Sequence, residues 1–141
     1  MSLRTKIEGV TRVRQLSLAI VGADHPNKDK SNRRFEILLC ERGEEAHMVP
    51  EPKNPVDPQA IAVFSARGVQ IGYVKAVQAQ LIRSYLSRGR ITSCIFQDRA
   101  EWGAVIRVGL DGEEPTLPDR PPESVTVDDS GFYPDFIPPD D

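Results

Sequence analysis

Two side chains near the middle of the chain stand where they can do chemistry. Asn54 and Asp57 lie in the run Glu51 to Lys75, EPKNPVDPQAIAVFSARGVQIGYVK, and each is followed by a proline. A residue before proline is pushed out of the helical region toward extended backbone. Asn and Asp also bond their own backbone two residues on. Together these effects predict a stiff, kinked ledge that turns an amide and a carboxylate outward, with Lys53 beside them. A carboxylate accepts a hydrogen bond from a free hydroxyl but repels phosphate, whereas lysine attracts it. Farther on, Tyr73 offers a ring on which a base could stack, worth about 1–3 kcal/mol per base. Lys75 adds charge, and free backbone NH groups at a helix start near Ala76 and Val77 favour anions. The same residues have a plainer reading, in which Asn54 and Asp57 brace their own turns and Tyr73 is a half-buried strand residue.

The ledge needs elements beneath it. Ala60 to Ser65 (AIAVFS) reads as a strand, Ala66 to Gly68 as a hairpin reversal, and Val69 to Val74 as the partner strand. Ala76 to Arg88 carries Val77, Leu81 and Tyr85 four apart, with Ile82 and Leu86 on the same stripe. That is the period of a helix laid on a sheet, and Gly89 stands where it should stop. Earlier strands are expected at Ser17–Gly22, Phe35–Arg42 and His47–Pro50, and later ones at Ile91–Phe96 and Ala104–Leu110. The loop from Ala23 to Arg33 is polar, and its His25, Lys28, Lys30 and Arg33 would meet phosphate if it bordered a binding face. Six or seven short strands without a βαβ repeat predict a mostly β fold, a small barrel with one main helix. Such a barrel has no room inside for a ligand, so binding falls to a face and its loops.

The pattern Pro52-x-Asn54-Pro55-x-Asp57-x-x-Ala60-Ile61-x-Val63, then a glycine turn, then Val69-Gln70-Ile71-Gly72-Tyr73-Val74, resembles the core of the HIRAN domain. That family includes free-standing bacterial proteins and N-terminal modules of some Swi/Snf-type DNA-remodelling ATPases. The resemblance runs over roughly Leu16 to Gln97, and it implies a small SH3-like or OB-like β-barrel. It also implies capture of a single-stranded 3′ DNA end in a repair or replication setting. On that basis Asn54 would contact phosphate or backbone, Asp57 would accept the terminal hydroxyl, and Tyr73 would occupy a pocket position where members vary. End-binding members carry an aromatic where this chain has Val56, and a basic-aromatic pair where it has Asp24 and His25. A second reading follows from those departures: a protein-interaction adaptor that keeps the barrel and has lost DNA-end binding.

Charge must be divided before it means anything. Residues 1–110 hold 17 Lys and Arg against 11 Asp and Glu, whereas residues 111–141 hold 1 against 10, although the whole chain sums to −3. A basic body suits a polyanion, and the acidic tail is a built-in competitor for it. The tail has seven prolines in 31 residues and is expected to be disordered or extended. Its end gathers Phe132, Tyr133, Phe136 and Ile137 among acids, a cluster suited to a protein partner. Residues 1–15 read as a basic arm. Cys40 and Cys94 sit in apolar runs and are expected to be free and buried, with neither a metal site nor another cofactor. There is no Walker loop, no Gly-x-Ser-x-Gly and no nucleophile near the acid pair Glu51 and Asp57, so a non-catalytic module is expected. With no apolar run of membrane-spanning length and no secretory signal, a cytoplasmic protein is expected.

Overall fold

The computed structural model describes residues 14–118. Six strands, β1 (Gln15–Val21), β2 (Glu45–Pro50), β3 (Ile61–Phe64), β4 (Gln70–Val74), β5 (Ile91–Ala100) and β6 (Gly103–Leu110), close into a barrel in the order β1-β4-β3-β2-β5-β6. All neighbours are antiparallel, and β6 returns to pair with β1 along six residues. Inward-facing Leu18, Ile20, Ile61, Val63, Ile71, Phe96, Ile106, Val108 and Leu110 fill the interior, as alternation on a half-buried strand requires. The segments bearing the basic arm and the aromatic tail cluster, residues 1–13 and 119–141, lie outside the described residues.

The expected strand at Phe35–Arg42 is a correction: residues Arg33–Leu39 form a helix, α1. Asn32 caps it, with extended backbone and Oδ1 accepting from Phe35 N at 2.8 Å. The cap commits the chain to helix, and Arg33, Glu36 and Ile37 then fall inward. Glu36 Oε2 accepts from Ser65 Oγ and from Arg67 Nε, both at 2.7 Å, which ties α1 to the β3–β4 hairpin. Arg67 also reaches Glu44, and these carboxylates push its pKa upward, the Glu44 hydrogen bond most strongly.

The second helix, α2 (Ala76–Ser87), forms where the sequence places it, but its buried stripe differs. Ala79 and Ile82 are buried, Tyr85 and Leu86 pack beside them, and Val77 and Leu81 face solvent. The rotation follows from Gln78. The β1–β4 ladder covers only Ile20 and Val21, so part of the β1 edge is bare there. Gln78 Oε1 accepts from Ala19 N at 2.9 Å and Nε2 donates to Ser17 O at 3.3 Å, completing the edge with a side chain. Lys75 N donates to Ala19 O at 2.9 Å, fixing the start of α2 against the same strand.

Both cysteines are free, Cys94 buried and Cys40 half-buried. Burial pushes the Cys94 thiol up to about 12, and burial pushes the Cys40 thiol up to about 11 although the nearby Arg67 opposes it. A thiol reacts as its thiolate. In the folded protein near neutral pH, alkylation by iodoacetamide is expected to run more than about a hundredfold slower than for an ordinary thiol of pKa about 8.5. Both should react at the ordinary rate once the chain is unfolded, and fast labelling of the native protein would contradict this packing.

Candidate nucleic-acid interface

The ledge is as stiff as its prolines imply, but its polar groups are largely engaged with one another. Asn54 Oδ1 accepts from Val56 N at 2.8 Å and Asp57 N at 3.0 Å, and its Nδ2 donates to Glu51 Oε1 at 2.9 Å. The Asn54 side chain therefore braces the loop. Asp57 Oδ1 accepts from Gln59 N at 2.8 Å, and among the described residues its other oxygen has no hydrogen-bond donor. Lys53 is exposed at the rim, and Val56 stands 89% exposed at the apex.

Glu51, three residues before Asn54, is the hub that the sequence reading did not recognise. Its Oε1 also accepts from Tyr73 Oη at 2.9 Å, so one carboxylate oxygen joins the ledge to β4. The only signal for this was an acid at the foot of the loop, beside a strand whose tyrosine comes 22 residues later.

Tyr73 is half-buried, and the guanidinium of Arg33 lies over its ring, 5.5 Å from the centroid. Arg33 is only 6% exposed. Its Nε donates to Asn27 Oδ1 at 2.7 Å and its Nη1 to Gly22 O at 2.9 Å, while Asn27 Nδ2 donates to Gln70 O at 2.9 Å. The loop between β1 and α1 is thus hung on β4 through Asn27 and Arg33. Through the Arg33–Tyr73 contact and the Tyr73–Glu51 hydrogen bond, this loop is linked to the foot of the proline ledge.

That loop holds a cleft of about 210 Å³ lined by Asp24, His25, Lys30, Asn32, Arg33 and Arg34 among others. Residues 24–34 carry four Lys or Arg against Asp24 and Asp29. Arg34 Nε donates to Asp24 Oδ1, and its Nη1 to Glu101 O at 2.9 Å. That hydrogen bond, and the charge behind it, holds the Asp24 carboxyl below the usual carboxylate range. The negative charge of Asp24, where end-binding members carry a basic residue, is therefore matched by a cation on the spot. Lys28 and Lys30 are exposed, and Lys30 lines the cleft. Lys75, the N-cap of α2 two residues past Tyr73, is half-buried and does not line the cleft.

Known proteins decide what kind of barrel this is. The HIRAN domain family model matches residues 24–104, more than half of the chain. The chain belongs to the HIRAN domain family. HIRAN domains are DNA-binding domains. Among solved structures, the fold is similar to the HIRAN domain of human HLTF, with a TM-score of 0.54, 16% identity, and coverage of 69% of this chain and 74% of that one. A protein from Lactobacillus plantarum is similar with a TM-score of 0.52 and 16% identity, over 70% of this chain and 89% of that one. No curated protein matches. At 16% identity these likenesses speak for the barrel alone, and no helix among the described residues is long and apolar enough to cross a membrane.

Proposed function

We propose that this HIRAN domain is a non-catalytic module that binds single-stranded DNA at or near a free 3′ end. The reading is supported by the Arg33–Tyr73 contact, which links the cleft-bearing loop to the tyrosine that is bonded to Glu51 at the foot of the ledge. Lys28, Lys30 and His25 would meet phosphates entering the cleft. Lys53 would extend that track along the rim. Asp57 keeps one oxygen for a terminal hydroxyl and repels the phosphate that a continuous strand would bring there. Tyr73 contributes less stacking than an open ring would, because Arg33 already covers one side. Val56 contributes none, since a valine has no π face. Binding should therefore be modest, in the range of roughly 10⁻⁴ to 10⁻⁶ M at physiological salt.

Fluorescence anisotropy with a short labelled oligonucleotide tests this. Affinity is expected to fall with salt by about 0.7 log units per phosphate contact for each tenfold rise. The double variant Lys28→Glu, Lys30→Glu should lose roughly tenfold or more of that affinity, since it reverses the charge at the mouth. A free 3′-hydroxyl should bind more tightly than a 3′-phosphate, and Asp57→Asn should equalise the two. Equal affinity of the native protein for both ends would remove the end-reading role. Absence of any salt-sensitive binding would instead favour an adaptor, a reading motivated by Val56 at the apex where a stacking ring would be useful.

A further inference from the structure

The outer face of α1 is apolar where a helix on a barrel is ordinarily polar. Phe35, Leu38 and Leu39 are 60%, 59% and 46% exposed. They stand at i, i+3 and i+4, so they share one side of the helix. Arg33 and Glu36, which the interior hydrogen bonds require, take the inward side. Three large apolar side chains together on a seven-residue helix mark a surface that something covers. Nothing in the DNA-binding reading uses them.

The course of the chain points to the cover. After a turn at Asp111 and Gly112, residues 113–118 run along the outside of the barrel and are held there. Thr116 N donates to Gln15 Oε1 at 2.8 Å, Ser93 Oγ donates to Glu114 Oε1 at 3.0 Å, and Gln15 Nε2 donates to Glu113 Oε2 at 2.8 Å. Gly109 makes the crossing possible, because a Cβ there would stand 2.1 Å from Glu113 O. The last described residue, Pro118, accepts from Arg42 Nη2 at 3.0 Å. Arg42 is three residues past Leu39, so the described chain stops beside the C-terminal end of α1. The next 23 residues carry seven acids and one arginine, and their aromatic side chains are confined to Phe132, Tyr133 and Phe136. Phe132 lies fourteen positions beyond Pro118, a reach of up to roughly 45 Å. Lys28 and Lys30 are exposed in the loop that leads into the other end of α1 and match that acidity, whereas Arg34 is already paired with Asp24.

We propose that Phe132, Phe136 and Ile137 fold back onto Phe35, Leu38 and Leu39 of the same chain. A tether this short holds its ends at an effective concentration in the millimolar range, so a small apolar contact suffices.

Amide spectra of the full-length protein test the contact without any DNA, so its failure is separable from failure of the binding reading. The combined substitution Phe132→Ser, Phe136→Ser, Ile137→Ser should shift amide signals of residues 33–42, leave the barrel strands unmoved, and raise fluorescence of a hydrophobic dye several-fold. Reciprocally, Leu38→Lys, a surface change that spares the core, should lower the heteronuclear NOE of residues 132–137. Unmoved α1 signals in the tail variant would overturn the proposal. So would a dimer in sedimentation that survives the tail substitutions and dissociates with Leu38→Lys, since the cover would then be a second copy. An effect of Ile7→Ser on α1 in place of the tail substitutions would assign the cover to residues 1–13 and equally overturn it.

Discussion

Replacing Gly72 by alanine should cost the domain on the order of 3 kcal/mol, combining backbone strain with overpacking. Gly72 has φ +151°, which L side chains rarely adopt. A Cβ there would lie 2.4 Å from Val21 O and 3.0 Å from Ile20 Cγ2. The first neighbour is backbone of β1, so no rotamer change relieves it. This is the point where β1 and β4 close the barrel, through the pairs Ile20 with Val74 and Val21 with Tyr73. For a domain of about 100 residues the loss corresponds to a fall in Tm of roughly 10–20 °C. Urea denaturation would check it, with Gly68→Ala as the comparison. Gly68 has φ +83° but nothing within 4 Å of its Cβ position, so only the backbone cost of about 1 kcal/mol applies. Equal stability of the two variants would mean that β1 and β4 do not approach so closely.

Glu36→Ala is expected to destabilise by about 2–3 kcal/mol, less than the 3–5 typical of a broken buried pair. The carboxylate is buried, but its partner Arg67 keeps 39% side-chain exposure and can turn to solvent or to Glu44, which discounts the loss. Ser65 Oγ, in contrast, is buried and loses its acceptor. Glu36→Gln keeps the length and one acceptor oxygen, so it should cost less than Glu36→Ala. The same denaturation curves would read both. Because Glu36 anchors the helix that begins with Arg33, the alanine variant should also weaken oligonucleotide binding without any change in the cleft's own charges. Unchanged binding alongside the lowered stability would show that the cleft does not depend on how α1 is seated.

The hairpin and the ledge were legible because their signals are local. Asn54-Pro55 and Asp57-Pro58 dictate extended backbone at their own positions, and Gly68 permits the reversal that pairs β3 with β4. The helix at Ala76 is likewise written in its periodicity, yet the face it buries was misread. Val77 and Leu81 lost the inward position to Gln78, whose amide was needed at a bare strand edge. A polar side chain that substitutes for a ladder hydrogen bond leaves no hydrophobic trace in a sequence.

α1 failed for a related reason. Its run of Phe35, Ile37, Leu38 and Leu39 suits a strand or a helix equally. The interior it meets asks for Glu36 to accept from Ser65 and Arg67, 29 and 31 residues away, and for Arg33 to cover Tyr73, 40 residues away.

Taken by itself, the sequence determined the barrel class, the rigid corner at Asn54 to Asp57, the position of the long helix and the division into a basic body and an acidic tail. Each depends on backbone preference, periodicity or charge within a short window. Only the tertiary structure decided that Asn54 is tied to its own loop, that Glu51 links it to Tyr73, and that a cleft opens on the β1–α1 loop. Those outcomes are hydrogen bonds between residues far apart in the chain, satisfied because burial makes an unpaired polar group costly, and no local pattern encodes which partner will be there.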